Sequence, residues 1–433
     1  MSSVKKFLPH FHLYPHSGRL NDPNGLCYFN HRFHIFYQSN PFSTLRKKTY
    51  WGHYSTKDFV NYQFHGLAIS PNTKYDRDGA YSGSAIVNKN KLYLFYTGNV
   101  KHKGNYDYVL TGRESNTMRV ESTDGIHFTN KKVIFTNKDY PSNLSLHVRD
   151  PYVFKMNKNF YMVLGARTKD NHGAYLLYKS KDLTHFKLIK NYKSKDLGYM
   201  FECPSVFTLA HKKIFSFSPQ GLKAEKNRFK NIYSSGYIVN RINKNNYHEW
   251  DLGYDFYAPQ IFIDHKGRRI LIGWAGLEGY SYSYLEEKEG WKHCLTLPRE
   301  LTFKNNKIYQ QPIKEITNLY QKFKKVKAYI GTNFIANFKV KKDTEVTISN
   351  SLIIKFNTNK MSTHFKCNGA NRVNREYKIN IHEVSIILDN SICEIYLNKG
   401  EYVFTSRIYA PHSGIKIKGS NATIGAIKSA SYK

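Results

Sequence analysis

Carboxylates placed beside proline recur through the first two-thirds of the chain. Asp22 precedes Pro23, Asp150 precedes Pro151, Glu202 stands two residues before Pro204, and Asp255 stands four before Pro259. A related stretch around Gly83 carries Ser82, with Asp78 a little upstream. Like charges brought together repel and raise one another's pKa, so stability alone does not favour gathering such acids. Glycosidic chemistry does favour it: one acid protonates the leaving oxygen while another attacks the anomeric carbon or activates water. Calcium is the competing use of several oxygens, although its usual loops space their ligands at close alternating positions.

The neighbours of these acids suggest how the work is divided. Arg149 adjoins Asp150 and supplies a charge that can keep the carboxylate ionised and grip hydroxyls. Glu202 is flanked by Tyr199, Met200, Phe201 and Cys203-Pro204, an apolar setting that predicts the raised pKa a general acid needs. Asp22 lies between Asn21 and the turn Pro23-Asn24-Gly25, whose donors predict an ionised, nucleophilic carboxylate.

Elements that could bring these positions together appear as a repeat. Asp22-Pro23…Phe29, Ser82-Gly83…Val87, Asp150-Pro151…Phe154, Cys203-Pro204…Phe207 and Ala258-Pro259…Phe262 each start a strand-like run. The anchors Pro23, Gly83, Pro151, Pro204 and Pro259 recur about every 53–68 residues. A polar turn and a second apolar run follow each one, as a hairpin requires. A turn former four residues before an aromatic returns as Asp58…Tyr62, Asp124…Phe128, Asp182…Phe186 and Asn246…Trp250. Units of this length, all strand and turn, fit four-stranded propeller blades. The pattern predicts an all-β protein, with a five-bladed β-propeller catalytic domain over 1–300 and a linker with a short helix over 301–329. A C-terminal β-sandwich over 330–433 completes it. A plain sandwich or barrel with accidental spacing is the alternative.

Composition narrows the class. The chain has 433 residues, 15% of them aromatic and 40% hydrophobic, which excludes intrinsic disorder. Its 66 Lys+Arg against 32 Asp+Glu give a net charge of +34, but the cations are spread along the whole length. Such bulk charge points weakly to nucleic acid, and no nucleic-acid partner is expected. No apolar run approaches the roughly 20 residues of a membrane span, so no membrane association is expected. Met1–Phe7 has no apolar segment of a secretory signal, which predicts a cytoplasmic protein. Five scattered cysteines without a CxxC pair predict neither a disulfide framework nor a metal site.

Taken together, Asn21-Asp22-Pro23-Asn24-Gly25, Arg149-Asp150-Pro151 and Glu202-Cys203-Pro204 resemble, in order and spacing, glycoside hydrolase family 32, the invertases and fructanases. Tyr50-Trp51-Gly52-His53, Tyr81-Ser82-Gly83-Ser84-Ala85, Asp255…Gln260, Ile272-Gly273-Trp274 and Gly290…Leu301 add to the resemblance. So does Leu388-Asp389-Asn390-Ser391 in the tail. The resemblance implies retaining hydrolysis of a β-fructofuranosyl bond, with Asp22 as nucleophile, Glu202 as acid/base and Asp150 as transition-state stabiliser. It implies that Asn21, Gln38, Trp51, Ser82, Arg149, Asp255, Tyr257 and Trp274 bind the sugar. Neither cofactor nor metal is expected, the partner is a small saccharide, and the assembly is a monomer or homodimer. Sucrose-6-phosphate, and with it sucrose, is the expected substrate; sucrose and short fructo-oligosaccharides are the alternative. Clustered cations at Arg46, Lys47 and Lys48, with Lys292, are candidates for holding a phosphate.

Overall fold

Alternating apolar residues and tight polar turns generate a series of antiparallel meanders. The computed structural model describes residues 5–366, 370–410 and 413–433; Cys367 lies outside them. The first sheet contains Gly18–Phe29, Arg32–Asn40, Tyr50–Thr56 and Asn61–Ile69, and the second Gly79–Asn88, Lys91–Lys101, Arg113–Ser122 and Thr129–Phe135. The third runs Leu144–Met156, Asn159–Thr168, Gly173–Ser180 and Phe186–Lys193, and the fourth Met200–Leu209, Lys212–Gln220, Gly236–Val239 and Tyr247–Glu249. The fifth is built on Tyr257–Ile263, Arg269–Ala275, Arg299–Lys304 and Lys307–Pro312. Two-residue turns with both φ positive join several hairpins, at Asn30-His31, Lys89-Asn90, Ala210-His211 and Asn305-Asn306.

First strands of successive sheets touch in order, and the first strand of the fifth sheet touches that of the first. The sheets therefore close into a ring, the arrangement of a β-propeller. The stretch after the fifth sheet's second strand seals this ring. Trp291–Lys292 pairs in parallel with Gly18-Arg19, while Cys294–Leu295 pairs with Trp274-Ala275.

The repeated turns have a common construction. Asp58 accepts from the backbone N–H groups of Val60 and Asn61, Asp124 from Ile126 and His127, and Asp182 from Thr184 and His185. Thr56, Ser122 and Ser180 each donate a hydroxyl to the same aspartate. The fourth echo differs: Asn243, not Asn246, caps a short 3₁₀ turn there.

Two differences from the sequence reading concern boundaries. Arg299–Lys304 and Lys307–Pro312 belong to the fifth sheet, so strand structure of the ring continues past residue 300. The expected short helix is a 3₁₀ segment, Lys314–Leu319, which buries Ile316 and Leu319. Beyond it two six-stranded sheets face each other as a β-sandwich around Phe334, Ile348, Ile354, Phe356, Ile386 and Ile395. The chain end returns to the ring, where Ser431-Tyr432 pairs with Asn61-Tyr62 of the first sheet.

Buried ion pairs fasten sandwich to ring. Arg299 bridges Asp251 and Glu394 (3.1 and 2.8 Å), and Arg372 grips both oxygens of Asp255 (2.6 and 2.8 Å). Arg407 meets Glu286 at 3.2 Å, and His12 lies between Asp389 and Glu394 (2.8 and 3.0 Å). All of these side chains are fully buried.

Candidate active site

Every first strand of the ring has a break in register at its anchor. At this irregularity Asp150, Cys203 and Ala258 adopt φ of 60°, 48° and 47°, an uncommon conformation for residues with a Cβ. Gly83 takes the anchor place of proline in the second sheet because a Cβ there would lie 1.9 Å from the Phe95 carbonyl oxygen. The kink brings two successive residues per strand to the end of the ring where the pocket lies, and at least one of each pair lines it. The residues one before the anchor are Asp22, Ser82, Asp150, Cys203 and Ala258, and the residues two before it are Asn21, Tyr81, Arg149, Glu202 and Tyr257. The three pocket acids therefore occupy two ring positions, with Glu202 one step further out than Asp22 and Asp150.

Asn21, Asp22, Gln38, Arg149, Asp150, Glu202, Tyr257 and Trp274 line one pocket. Asp22 accepts from Asn21 Nδ2 (3.1 Å), from Gln38 Nε2 (3.4 Å) and from the Ser82 hydroxyl. Gln38 also donates to Ser82, so one network fixes the nucleophile candidate from behind. Asp150 accepts the Cys203 backbone N–H at 2.9 Å, and the Cys203 thiol lies 3.6 and 3.7 Å from Asp22 and Asp150. Glu202 accepts from Arg149 Nε and Nη2 (3.1 and 2.6 Å), Tyr257 OH (2.7 Å) and Gln220 Nε2 (2.8 Å).

Burial raises two of the three acids. It pushes Asp150 up to about 7, with Arg149 opposing and the charges of Glu202 and Asp22 adding. It also raises Asp22, against the hydrogen bonds of Ser82 and Asn21. Both results differ from what the sequence predicts, namely that neighbouring donors and Arg149 hold these acids ionised. Glu202 departs in the other direction. Burial does act to raise it, but Arg149 and Tyr257 outweigh that effect and hold it below its ordinary value. The apolar flank correctly signalled burial, while Arg149 as a direct partner of Glu202 lay beyond what sequence proximity to Asp150 could reveal.

Several expected residues lie elsewhere. Asp255 is not in the pocket: it is fully buried with Arg372, Tyr284 and the Arg407 backbone N–H, because its place four before the anchor is off the kink. Trp51 is fully buried, and its indole N–H donates to the Tyr81 carbonyl at 3.1 Å, so it supports the wall from behind. Ser82 likewise stands behind Asp22. Among the four candidate phosphate-binding cations, Arg46 and Lys47 line the pocket. Lys48 is exposed and does not, and Lys292 is turned onto Glu287 at 2.8 Å.

The pocket also holds residues that the sequence reading did not single out: Arg19, Arg113, His147, Gln220, Tyr233 and Glu278. Glu278 pairs with both Arg19 and Arg46. His147 is driven down to about 2 by burial and then by Arg149 and Arg113, and so accepts from Arg149 as a neutral ring at 2.5 Å. Gln220 carried the one available signal, as the end of the strand paired with Met200–Leu209.

A kinked ring of first strands presenting an Asp, an Asp beside Arg and a Glu to a single polar pocket defines a glycoside-cleaving propeller enzyme. The chain belongs to glycosyl hydrolase family 32: that family's N-terminal domain matches residues 12–312 and its C-terminal domain residues 332–432. Sucrose-6-phosphate hydrolase of Bacillus subtilis (strain 168) is 35% identical over 446 residues, covering 94% of this chain and 89% of the relative. The Vibrio alginolyticus sucrose-6-phosphate hydrolase is 35% identical over 93% of this chain and 87% of its own. Among solved structures, the sucrose-6-phosphate hydrolase of Lactobacillus gasseri superposes with a TM-score of 0.88 at 28% identity, covering 99% of this chain and 95% of the other.

Proposed function

We propose that the protein hydrolyses the β-fructofuranosyl bond of sucrose-6-phosphate, and of sucrose, with retention of configuration. The observation that carries this reading is the single pocket in which Asp22, Asp150 and Glu202 meet beneath a cationic rim. The sucrose-6-phosphate hydrolases among the relatives support the same substrate. In the first step a carboxylate oxygen of Asp22 bonds to C2 of the fructosyl unit. The bond from C2 to the glucosyl oxygen breaks, and Glu202 gives that oxygen its proton. In the second step water adds to C2, its proton passes to Glu202, and Asp22 leaves with its electron pair. Asp150, one residue before its anchor as Asp22 is, binds fructose hydroxyls as positive charge develops at C2.

Glu202 is the ion-pair partner of Arg149, which favours the carboxylate over the protonated form that the first step needs. Substrate hydroxyls that draw Arg149 away from Glu202 would raise its pKa at the moment when a proton is required. Four described cysteines carry free thiols, which together with a phosphorylated substrate fits a cytoplasmic setting. Among the described residues no helix is long and apolar enough to cross a membrane.

Kinetics on sucrose-6-phosphate, sucrose and kestose side by side test the substrate assignment. The proposal expects kcat/KM to fall in that order; kestose turned over best would replace it with a fructo-oligosaccharide reading.

A further inference from the structure

We infer that Arg113, together with Lys47, forms a clamp for a phosphate ester on the leaving-group side of the pocket; this rests on the sucrose-6-phosphate reading above. Charge at the rim is unbalanced. Arg19, Arg46, Lys47 and Arg113 line the pocket, and the carboxylate at this rim, Glu278, is already shared by Arg19 and Arg46. Lys47 and Arg113 have no carboxylate within ion-pair distance among the described residues.

Arg113 is the more telling of the two. It opens the third strand of the second sheet, half-buried in the pocket wall. Its Nε is buried without a protein partner among the described residues, and its Nη1 makes one long contact, 3.5 Å, to His147 Nδ1. A guanidinium offers five N–H donors in a planar fork, which suits two oxygens of a phosphate. Burial, and then the like charges of Arg149 and Arg46, act against its charged form, with Tyr81 and Glu202 opposing them. An anionic ligand would relieve what these neighbours impose.

Position supplies the second half of the inference. A continuous row runs from Glu202 to Arg149 (2.6 Å), from Arg149 to His147 (2.5 Å) and from His147 to Arg113 (3.5 Å). Glu202 touches the leaving oxygen in the proposed mechanism, so the glucosyl unit lies on its side of the pocket. Arg113 stands at the far end of that row, where a phosphate on the glucosyl unit can meet it. Arg149 is occupied by Glu202 and Arg46 by Glu278, which leaves Arg113 and Lys47 to hold the ester.

The test compares the ratio of kcat/KM for sucrose-6-phosphate over sucrose in the wild type, Arg113→Gln, Arg113→Lys and Lys47→Gln, with thermal unfolding as the check on folding. One charge-assisted contact to phosphate corresponds to about a tenfold to hundredfold effect. Arg113→Gln should lower the ratio at least about tenfold, Arg113→Lys by less because charge survives without the fork, and Lys47→Gln by a smaller factor in the same direction. Glucose-6-phosphate should inhibit the wild type more strongly than glucose does, and Arg113→Gln should erase that difference. A wild type with no preference for the phosphorylated sugar would overturn the substrate reading and the clamp with it. A wild type with the preference, kept in full by both Arg113→Gln and Lys47→Gln, would overturn the clamp and leave the substrate reading standing. If Arg113→Gln does not fold, Lys47→Gln on its exposed loop decides between the same two results.

Discussion

Glu394 and Asp150 are both buried carboxylates of this molecule, yet Glu394 is held at about 2 while Asp150 is pushed up to about 7. Burial acts on both in the same direction. At Glu394, between ring and sandwich, Arg299 and His12 contribute cations and Tyr396 a hydroxyl, and together they overcome burial. At the pocket, among the described residues, Asp22, Asp150 and Glu202 have Arg149 alone as a directly bonded cation, and Glu202 takes it. Even at the interface the margin is narrow, since Asp251, which shares Arg299 with Glu394, remains raised. The interface gives Glu394 two cations, whereas the pocket offers its three acids one, which leaves two of them raised and able to exchange protons.

The contrast predicts opposite consequences for mutations in the two places. Asp22→Asn should lower kcat by several orders of magnitude while thermal unfolding changes little, because an amide cannot attack C2. Retention of a tenth of wild-type turnover, with deamidation excluded by mass spectrometry, would remove Asp22 from the nucleophile role. Arg299→Met should do the reverse. It leaves Asp251 buried without its cation and Glu394 with His12 alone, and denaturant unfolding should show a loss of about 3–5 kcal/mol, with kcat of the folded enzyme largely kept.

Asp150 adds a pH signature to the comparison. An acid whose native pKa stands above its unfolded value of about 3.9 keeps a proton that the unfolded chain releases, so its contribution to stability falls as pH rises between about 4 and 7. Asp150→Asn should therefore melt a few degrees higher than wild type at pH 8 and show no such gain at pH 4, while losing activity. An equal gain at both pH values would mean that charge is not its cause. The smallest effect concerns Glu202: removing the guanidinium in Arg149→Gln should raise its pKa and move the alkaline limb of kcat/KM to higher pH. A limb moving downward would place the acid elsewhere.

The strand repeat was legible because its signals are local: proline or glycine anchors, two-residue polar turns, and the aspartates at 58, 124 and 182 that cap their own turns. The three pocket acids are legible for the same reason, since each lies one or two residues before an anchor. Asp255 shows the limit of that logic. It shares the spacing loosely, but its fate is decided by Arg372, more than a hundred residues away in the sandwich. Glu202 shows another limit, because its partner Arg149 belongs to the neighbouring sheet and meets it only once the two sheets pack together. The rim residues Arg113 and Glu278 carry no local pattern at all. Trp51, which the resemblance places in the pocket wall, is instead the support behind one, a difference of a single layer that spacing along a strand cannot resolve.

The central claim is that Asp22 bonds to the sugar while Glu202 manages the proton, and trapping the intermediate tests it most directly. Glu202→Gln incubated with a β-fructofuranosyl fluoride needs no acid to expel the leaving group, but it lacks the base that activates water for the second step. The fructosyl-enzyme should accumulate, and mass spectrometry of a proteolytic digest should find one fructosyl residue on the peptide containing Asp22. A fructosyl adduct on Asp150 or another residue would contradict the assignment, and turnover of the fluoride with inversion and no adduct would contradict the mechanism itself.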